Sequence, residues 1–287
     1  MLTVLLIVDQ QPTGLSSVMR NQNHGPLSRL LSRRWVQLAL AVALVPAVAT
    51  GSLRAEAAPD EAPSSLSRVV SVIELFTSQG CSSCPPADAL LQTYAKRPDV
   101  LALTMPVDYW DYLGWKDTLG SPKNSERQRN YARARGDGQV YTPQVVINGM
   151  AHANGSAGRA IDAAVMLTQS DILASRVPLK FWTDRGSIFI EAGAAPPTAI
   201  LKEATIWLAV IQSSAEVEIT RGENHGRKVT YTNVVREMTP VGTWNGEPIR
   251  IQLARSAVMR KELEQVAVLL QHGKAGPIIA AAVTGLW

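Results

Sequence analysis

Only two of the 287 residues are cysteine, four are histidine and three are phenylalanine. Two cysteines cannot build the multi-bridge framework of a disulfide miniprotein, nor a four-cysteine zinc site. Charge is scarce too, at 18% of the chain against 46% hydrophobic residues, a balance that excludes a disordered chain. No uninterrupted apolar run reaches the roughly 18–20 residues a membrane helix needs. What remains is a folding chain, long enough for one large domain or two ordinary ones with a real core.

The one excess is positive charge, a formal +4, and its position decides what it means. Arg20, Arg29, Arg33 and Arg34 precede an apolar stretch from Trp35 to Ala49, which Pro46 interrupts, and Ala55-Glu56-Ala57 follows as a small-x-small pattern. This is the layout of a cleaved secretory signal. Residues 1–57 are therefore expected to be an N-terminal extension and signal peptide, with Met19 an alternative start. Removing them leaves 23 Lys and Arg against 22 Asp and Glu. The mature chain then has no basic cluster to hold phosphates, so nucleic acid is excluded as a partner. A periplasmic or secreted protein with no stable membrane span is expected; nothing in the sequence sets its oligomeric state.

Residues 58–65 form a Pro- and Ser-containing linker. Strand-like runs at 68–76, 100–107 and 145–147 then alternate with helical spacing at 85–96, 125–135 and 156–168, the last starting at Ser156 as a cap. That alternation predicts an α/β domain over 66–172 with a partly parallel sheet. Beyond it, strand candidates at 177–182, 187–191, 204–211, 216–220, 228–235, 248–253, 266–270 and 277–283 are separated by turn residues, without helices between most of them. An all-β, sandwich-like domain is expected over 173–287.

Both cysteines lie in one motif, Cys81-Ser82-Ser83-Cys84, between a strand and the helix start Pro85-Pro86. At a helix N-terminus a thiolate is stabilised by unpaired backbone N–H groups and the helix dipole. Proline is tolerated there because no intrahelical N–H bond is needed. Cys81, expected to be the more exposed, is the candidate nucleophile, and Cys84, one turn on, the resolving thiol. Three chemistries fit such a pair: thiol–disulfide exchange, a fixed structural disulfide, and a soft metal such as Cu(I) held by reduced sulfurs. So short a loop gains little entropic stabilisation from its bridge, which weakens the structural reading. The mature histidines, His152, His225 and His272, show no metal-ligand spacing, and no metal site is expected.

Strand, Cys-x-x-Cys and helix, followed by Tyr141-Thr142-Pro143-Gln144-Val145-Val146-Ile147-Asn148-Gly149, resemble the thioredoxin architecture. The resemblance implies a cis Thr142–Pro143 bond facing the cysteines, where Thr142 and Pro143 align a substrate in extended form. It also implies a buried acid near the cysteines. Glu74, which interrupts an apolar strand seven residues before Cys81, is the candidate: burial would raise its pKa toward neutrality and suit it to proton transfer. The run from Ile73 to Asp88, the run from Val107 to Asp117, and the later pieces Arg221-Gly222-Glu223-Asn224, Asn233-Val234-Val235-Arg236 and Trp244-Asn245-Gly246 resemble a secreted family catalogued as domain of unknown function 1223. That family implies a thioredoxin-like domain in an exported protein and supplies no substrate.

Asp108 to Trp115 packs two Tyr, two Trp and two Asp into eight residues after a strand. Loops at the carboxyl ends of parallel strands gather round the ligand crevice, so Tyr109 and Trp110 are candidate substrate contacts; the alternative is a packed loop. The Arg221–Lys228 turn is read as a solvated hairpin. The expected function is thiol–disulfide exchange on protein or small-molecule thiols and disulfides, with no organic cofactor, because the two sulfurs carry the electrons. The alternative is a non-enzymatic exported binding protein on a thioredoxin-like scaffold with a structural disulfide.

Overall fold

The computed structural model describes residues 67–258 and 264–285; the signal segment and linker expected over 1–65 lie outside the described residues. The first two strands explain the apolar runs. β1 (Ser71–Thr77) and β2 (Val100–Pro106) are buried at every position and pair in parallel from Ser71↔Val100 to Thr77↔Pro106. Parallel strands covered on both faces need continuous hydrophobic sequence.

Helix α1 (Pro85–Tyr94) connects them, with prolines in its first turn, and lays Ala87, Leu91 and Tyr94 against Ile73, Leu75 and Ala102. Helix α2 (Pro122–Arg135) covers the opposite face, where Tyr131 packs with Val72, Phe76 and Leu103. β1 thus alternates, odd-numbered residues toward α1 and even-numbered ones toward α2. β3 (Gln144–Ile147) runs antiparallel to β1, and β4 (Ala151–Asn154) pairs with β3 across the Asn148-Gly149 turn, whose φ angles are +52° and +70°. Helix α3 (Gly158–Leu173) starts one residue later than a cap at Ser156 predicts, with Ala157 as N-cap and no side-chain cap. Ser156 is instead held in the turn, its N–H donating to Asn154 Oδ1 at 2.9 Å.

In the second half, β5 (Leu179–Asp184) and β6 (Ser187–Ala192) pair as a hairpin across Arg185-Gly186. β7 (Ala204–Glu218) and β8 (Lys228–Trp244) form a long antiparallel ribbon, followed by β9 (Ile249–Ala254), β10 (Gln265–Gln271) and β11 (Ile278–Gly285). The strands expected separately at 204–211 and 216–220 are one strand. The polar Gln212-Ser213-Ser214 interrupts the hydrophobic pattern but not the ladder, which continues through Ser214↔Thr232 to Glu218↔Lys228.

The architecture is a mixed α/β fold with an eight-stranded mixed sheet, β11-β10-β7-β8-β2-β1-β3-β4, and a second antiparallel sheet, β5-β6-β9. Face-to-face packing of sheets is present as expected: Ile188, Ile190 and Ile251 of the small sheet meet Ile206, Leu208 and Val268 of the large one. Two domains divided near residue 172 were expected, yet strands from both sides of that position share the large sheet. The other face of β7 and β10, through Ala209, Ile211 and Leu269, joins Val72, Phe76 and Leu103 in one core.

The joint between the halves is narrow. β2 and β8 pair in parallel at Thr104↔Val234 alone, because Asn233 takes a φ of +51° and turns the strand there. Side chains complete the seam: Thr104 Oγ1 donates to the Thr232 carbonyl at 2.6 Å and Asn233 Nδ2 to the Ala102 carbonyl at 3.0 Å.

Candidate functional site

The Cys81 and Cys84 sulfurs are bonded to each other across 5.4 Å between Cα atoms. Local hydrogen bonding builds this loop. Cys81 N–H donates to the Ser78 carbonyl and Cys84 N–H to the Cys81 carbonyl; the Cys84 carbonyl then accepts from Ala87 and Asp88 and opens α1. Cys84 is the N-cap residue, so the pair sits where backbone N–H groups and the helix dipole favour negative charge. Ser82 and Ser83 are exposed, and Ser83 Oγ lies 3.4 Å from Cys81 Sγ.

Cys81 is the more exposed of the two cysteines by a narrow margin: 2% of its surface is accessible, against 0% for Cys84. The cover comes from both halves of the chain. A Cβ on Gly80 would lie 3.0 Å from Cβ of Trp110, so glycine is what lets the aromatic loop sit beside the cysteine. From the turn between β7 and β8, Asn224 is buried and donates through Nδ2 to the carbonyls of Gln79 at 2.9 Å and Cys81 at 2.8 Å. That turn was expected to be solvated; its neighbours are, but Asn224 is 1% exposed.

Gln79 joins the two covers. Its side-chain Oε1 accepts from the Trp115 indole at 2.8 Å, and its N–H donates to Asp117 Oδ2 at 2.8 Å. Neither Gln79 nor Asn224 was singled out from sequence. Each is a polar residue in a turn, and the signal was only that both stand inside the stretches that carry the family resemblance.

The Thr142–Pro143 bond is cis, the isomer expected. Pro143 stands near the start of α1, since a Cβ on Gly155 would lie 3.0 Å from Pro143 and 2.9 Å from Ala87. Thr142 Oγ1 accepts from the Trp110 indole N–H at 2.8 Å. The structure therefore brings Cys81, Cys84, Trp110, Thr142 and Pro143 to one place.

Tyr109 lies beside this group, its hydroxyl within reach of Thr142 and its ring 6.3 Å from that of Trp110, but it is also tied to α2. Its hydroxyl donates to Gln128 Oε1 on α2 at 3.1 Å, and burial pushes its pKa up to about 12. The loop is mostly packed rather than an open aromatic wall; its exposed ring is that of Tyr112, at 78%.

Glu74 is not beside the cysteines. An even-numbered residue of β1, it faces α2, where Arg127 binds it through Nε at 2.7 Å and Nη2 at 3.2 Å and the Tyr131 hydroxyl donates to it. Gln271 Nε2 donates to that hydroxyl at 2.9 Å. Burial alone lowers the pKa of the Arg127 guanidinium, but the neighbouring Glu74 and Tyr131 reverse this and hold it above its ordinary value.

The buried acid on the cysteine side is Asp88, four residues after Cys84 and on the same side of α1. Thr77 Oγ1, at the end of β1, donates to its Oδ1 at 2.8 Å, while Oδ2 has no partner among the described residues. Burial pushes its pKa up to about 7; the Thr77 hydrogen bond opposes the shift and the nearby Asp117 adds to it. The Asp117 carboxyl is raised by burial as well, against hydrogen bonds from Gln79, Leu119 and Gly120. Tyr231 of β8 is raised by burial and by both carboxylates. The arrangement can do proton chemistry at neutral pH within one helical turn of a disulfide.

Among the described residues, no group of three or more His, Cys, Asp or Glu is placed to hold a metal ion, and no helix is long and apolar enough to cross a membrane. His152 is engaged with Tyr141 at 2.9 Å and Asp137 at 3.3 Å.

The model of a family described as "Protein of unknown function (DUF1223)" matches residues 72–271. The chain belongs to this family. DUF1223 residues thus span the cysteine loop, the cis-proline turn, Asn224 and most of both sheets. A crystal structure of a protein from Agrobacterium tumefaciens is 35% identical to this DUF1223 chain, with a TM-score of 0.66 over 75% of this chain and 93% of that one. HBP35 of Porphyromonas gingivalis shares the fold at 12% identity, with a TM-score of 0.51 over 75% of this chain and 74% of its own. No curated protein matches the sequence.

Proposed function

We propose that this DUF1223 chain is an exported thiol–disulfide oxidoreductase whose site is thioredoxin-like, acting on protein or small-molecule thiols and disulfides outside the cytoplasm. One observation carries the reading. Asp88, a buried carboxyl with one oxygen unpartnered and a pKa pushed to about 7, stands one turn behind Cys84. A bridge that only ties the chain together has no use for such a group.

In the forward direction a substrate thiolate attacks Cys81 Sγ, forming a mixed disulfide and breaking the Cys81–Cys84 bond. The electron pair of that bond leaves on Cys84 as a thiolate, which takes the proton of Asp88. A second substrate thiolate then attacks the substrate sulfur of the mixed disulfide and releases Cys81 as a thiolate. The substrate is oxidised by two electrons and the protein reduced by two. Ser83 Oγ, 3.4 Å from Cys81 Sγ, and the N-terminus of α1 stabilise that thiolate. The cis Thr142–Pro143 turn, held by Trp110, supplies the edge on which an extended substrate aligns.

The test is the reduction potential of Cys81–Cys84, by thiol trapping in glutathione buffers. Exchange proteins fall at about −270 to −120 mV, and structural disulfides below about −300 mV. A potential inside the first range, with Cys81 alone alkylating near neutral pH, is the expected result. A value below the second limit with both sulfurs inert overturns the proposal. It would favour the second reading, an exported binding protein with a fixed disulfide, which the 2% exposure of Cys81 supports.

A further inference from the structure

A cavity of about 920 Å³ opens between the first turns of α2 and the base of the β7–β8 ribbon. It lies on the α2 side of the sheet, opposite the face that carries α1 and the cysteines. Its volume is in the upper part of the range for small-molecule sites. Met238, Pro240 and Ile249 give it an apolar side, and Trp207 and Arg127 line it as well.

Two donors on that wall lack acceptors. The Trp207 indole N–H is buried with no hydrogen-bond partner. Arg127 commits Nε and Nη2 to Glu74 and Tyr131, which leaves its Nη1 corner without a protein acceptor among the described residues. Its guanidinium lies over the Trp207 ring at 5.6 Å, so the two donors are neighbours. For the buried Trp207 N–H an unmet bond costs about 1–3 kcal/mol, and native interiors leave few such groups. Around them stand Lys123, Arg236 and Lys274, none paired with a carboxylate among the described residues, against the carboxylates Glu126 and Glu237. The unpaired charge favours an anion.

We infer that this cavity is a second binding site, for a small amphipathic carboxylate. The carboxylate accepts from Arg127 Nη1 and Trp207 Nε1, and the apolar body lies along Met238, Pro240 and Ile249. Two neighbouring N–H donors, one charged, can serve the two oxygens of a carboxylate. The site is independent of the sulfur chemistry and stands if that proposal fails.

The probe is octanoate, titrated into the full ¹⁵N-labelled chain, with 1-octanol as the uncharged control and naphthalene-2-carboxylate as a second body. The indole resonance of Trp207 is assigned by its loss in Trp207→Phe. Octanoate or the naphthoate should shift that resonance, and 1-octanol should bind at least about tenfold more weakly. Trp207→Phe, which keeps an aromatic ring but removes the N–H with the pyrrole part of the indole, should weaken the carboxylates about tenfold and 1-octanol much less. Met238→Trp, which fills the apolar side, should weaken all three. If neither carboxylate moves the Trp207 resonance, if 1-octanol binds as well as octanoate, or if Trp207→Phe leaves carboxylate binding unaltered, the inference is overturned.

Discussion

Two of the buried carboxyl groups, Glu74 and Asp88, are treated in opposite ways. Glu74 is 0% and Asp88 3% exposed. Glu74 has a bidentate arginine and a tyrosine hydroxyl, and that tyrosine is held by Gln271 from β10. Asp88 has one threonine hydroxyl, an oxygen with no partner, and a second carboxylate nearby. Glu74 is tied into the scaffold. Asp88 is left free to change its protonation state. A buried charge with all its partners is a packing element, whereas one with too few is a reactive one.

The comparison can be broken first on the Glu74 side. Arg127→Ala leaves a buried carboxylate unpaired and should destabilise the fold by about 3–5 kcal/mol in urea unfolding. Replacing both partners, as Glu74→Leu with Arg127→Met, should recover most of that loss. If the double variant is no better than the single one, the pair is not what the arginine serves.

Asp88 should show itself in the pH dependence of stability. Its pKa is near 3.8 in the unfolded chain and about 7 in the folded protein, so between those values the folded state keeps a proton that the unfolded state has released. Stability therefore falls as pH rises from about 4 to about 7 and levels off above, by about 4 kcal/mol for a shift of this size. Asp88→Asn should remove that part of the slope and make the variant more stable than the parent at pH 8, leaving the smaller fall due to Asp117. Parallel pH profiles for the two proteins would show that Asp88 is ionised at neutral pH.

Smaller effects belong to the cover over the disulfide. Asn224→Ala removes two hydrogen bonds onto the cysteine loop, so dithiothreitol should reduce the bridge about tenfold faster, with a stability loss of about 1–2 kcal/mol. An unchanged rate would mean that the turn is not what limits access to Cys81. Smallest of all, Ser83→Ala removes a weak donor to the Cys81 thiolate and should make the potential more negative by less than about 20 mV in the same thiol-trapping assay.

Local features of the sequence were the legible ones. The cysteine loop, the prolines that open α1, the cis-proline turn and the hairpin at Asp184–Gly186 each depend on residues within a few positions of one another. Glu74 was visible as a polar interruption, but its partner Arg127 is 53 residues away, and only the alternation of β1 assigns the pair to the α2 face. Asp88 carried a fainter signal, the four-residue spacing from Cys84 along a helix face. Asn224 carried less, because a solvated turn and a turn that drives one amide into a neighbouring loop have the same composition.

The second half was read as separate because its strands follow one another without helices between most of them, and β7 was read as two strands because Gln212-Ser213-Ser214 looks like a break. It is where β7 leaves the shared core: up to Ile211 both faces of the strand are largely covered, and after it one face is wet. Nothing in the local sequence tells a strand that ends from one that continues past its core.

The single-residue seam between β2 and β8 sets where this protein cannot be divided. Cut at residue 172, the first piece would present β2 as a bare edge, with backbone N–H and C=O groups ready to pair with any strand. Beside that edge Leu101, Leu103 and Met105 would be stripped of Ala209, Ile211 and Leu269. A flat hydrophobic edge of that kind is what drives chains to stack on one another. Residues 67–172 alone would be an aggregating fragment, because the ribbon of the second half covers that hydrophobic face.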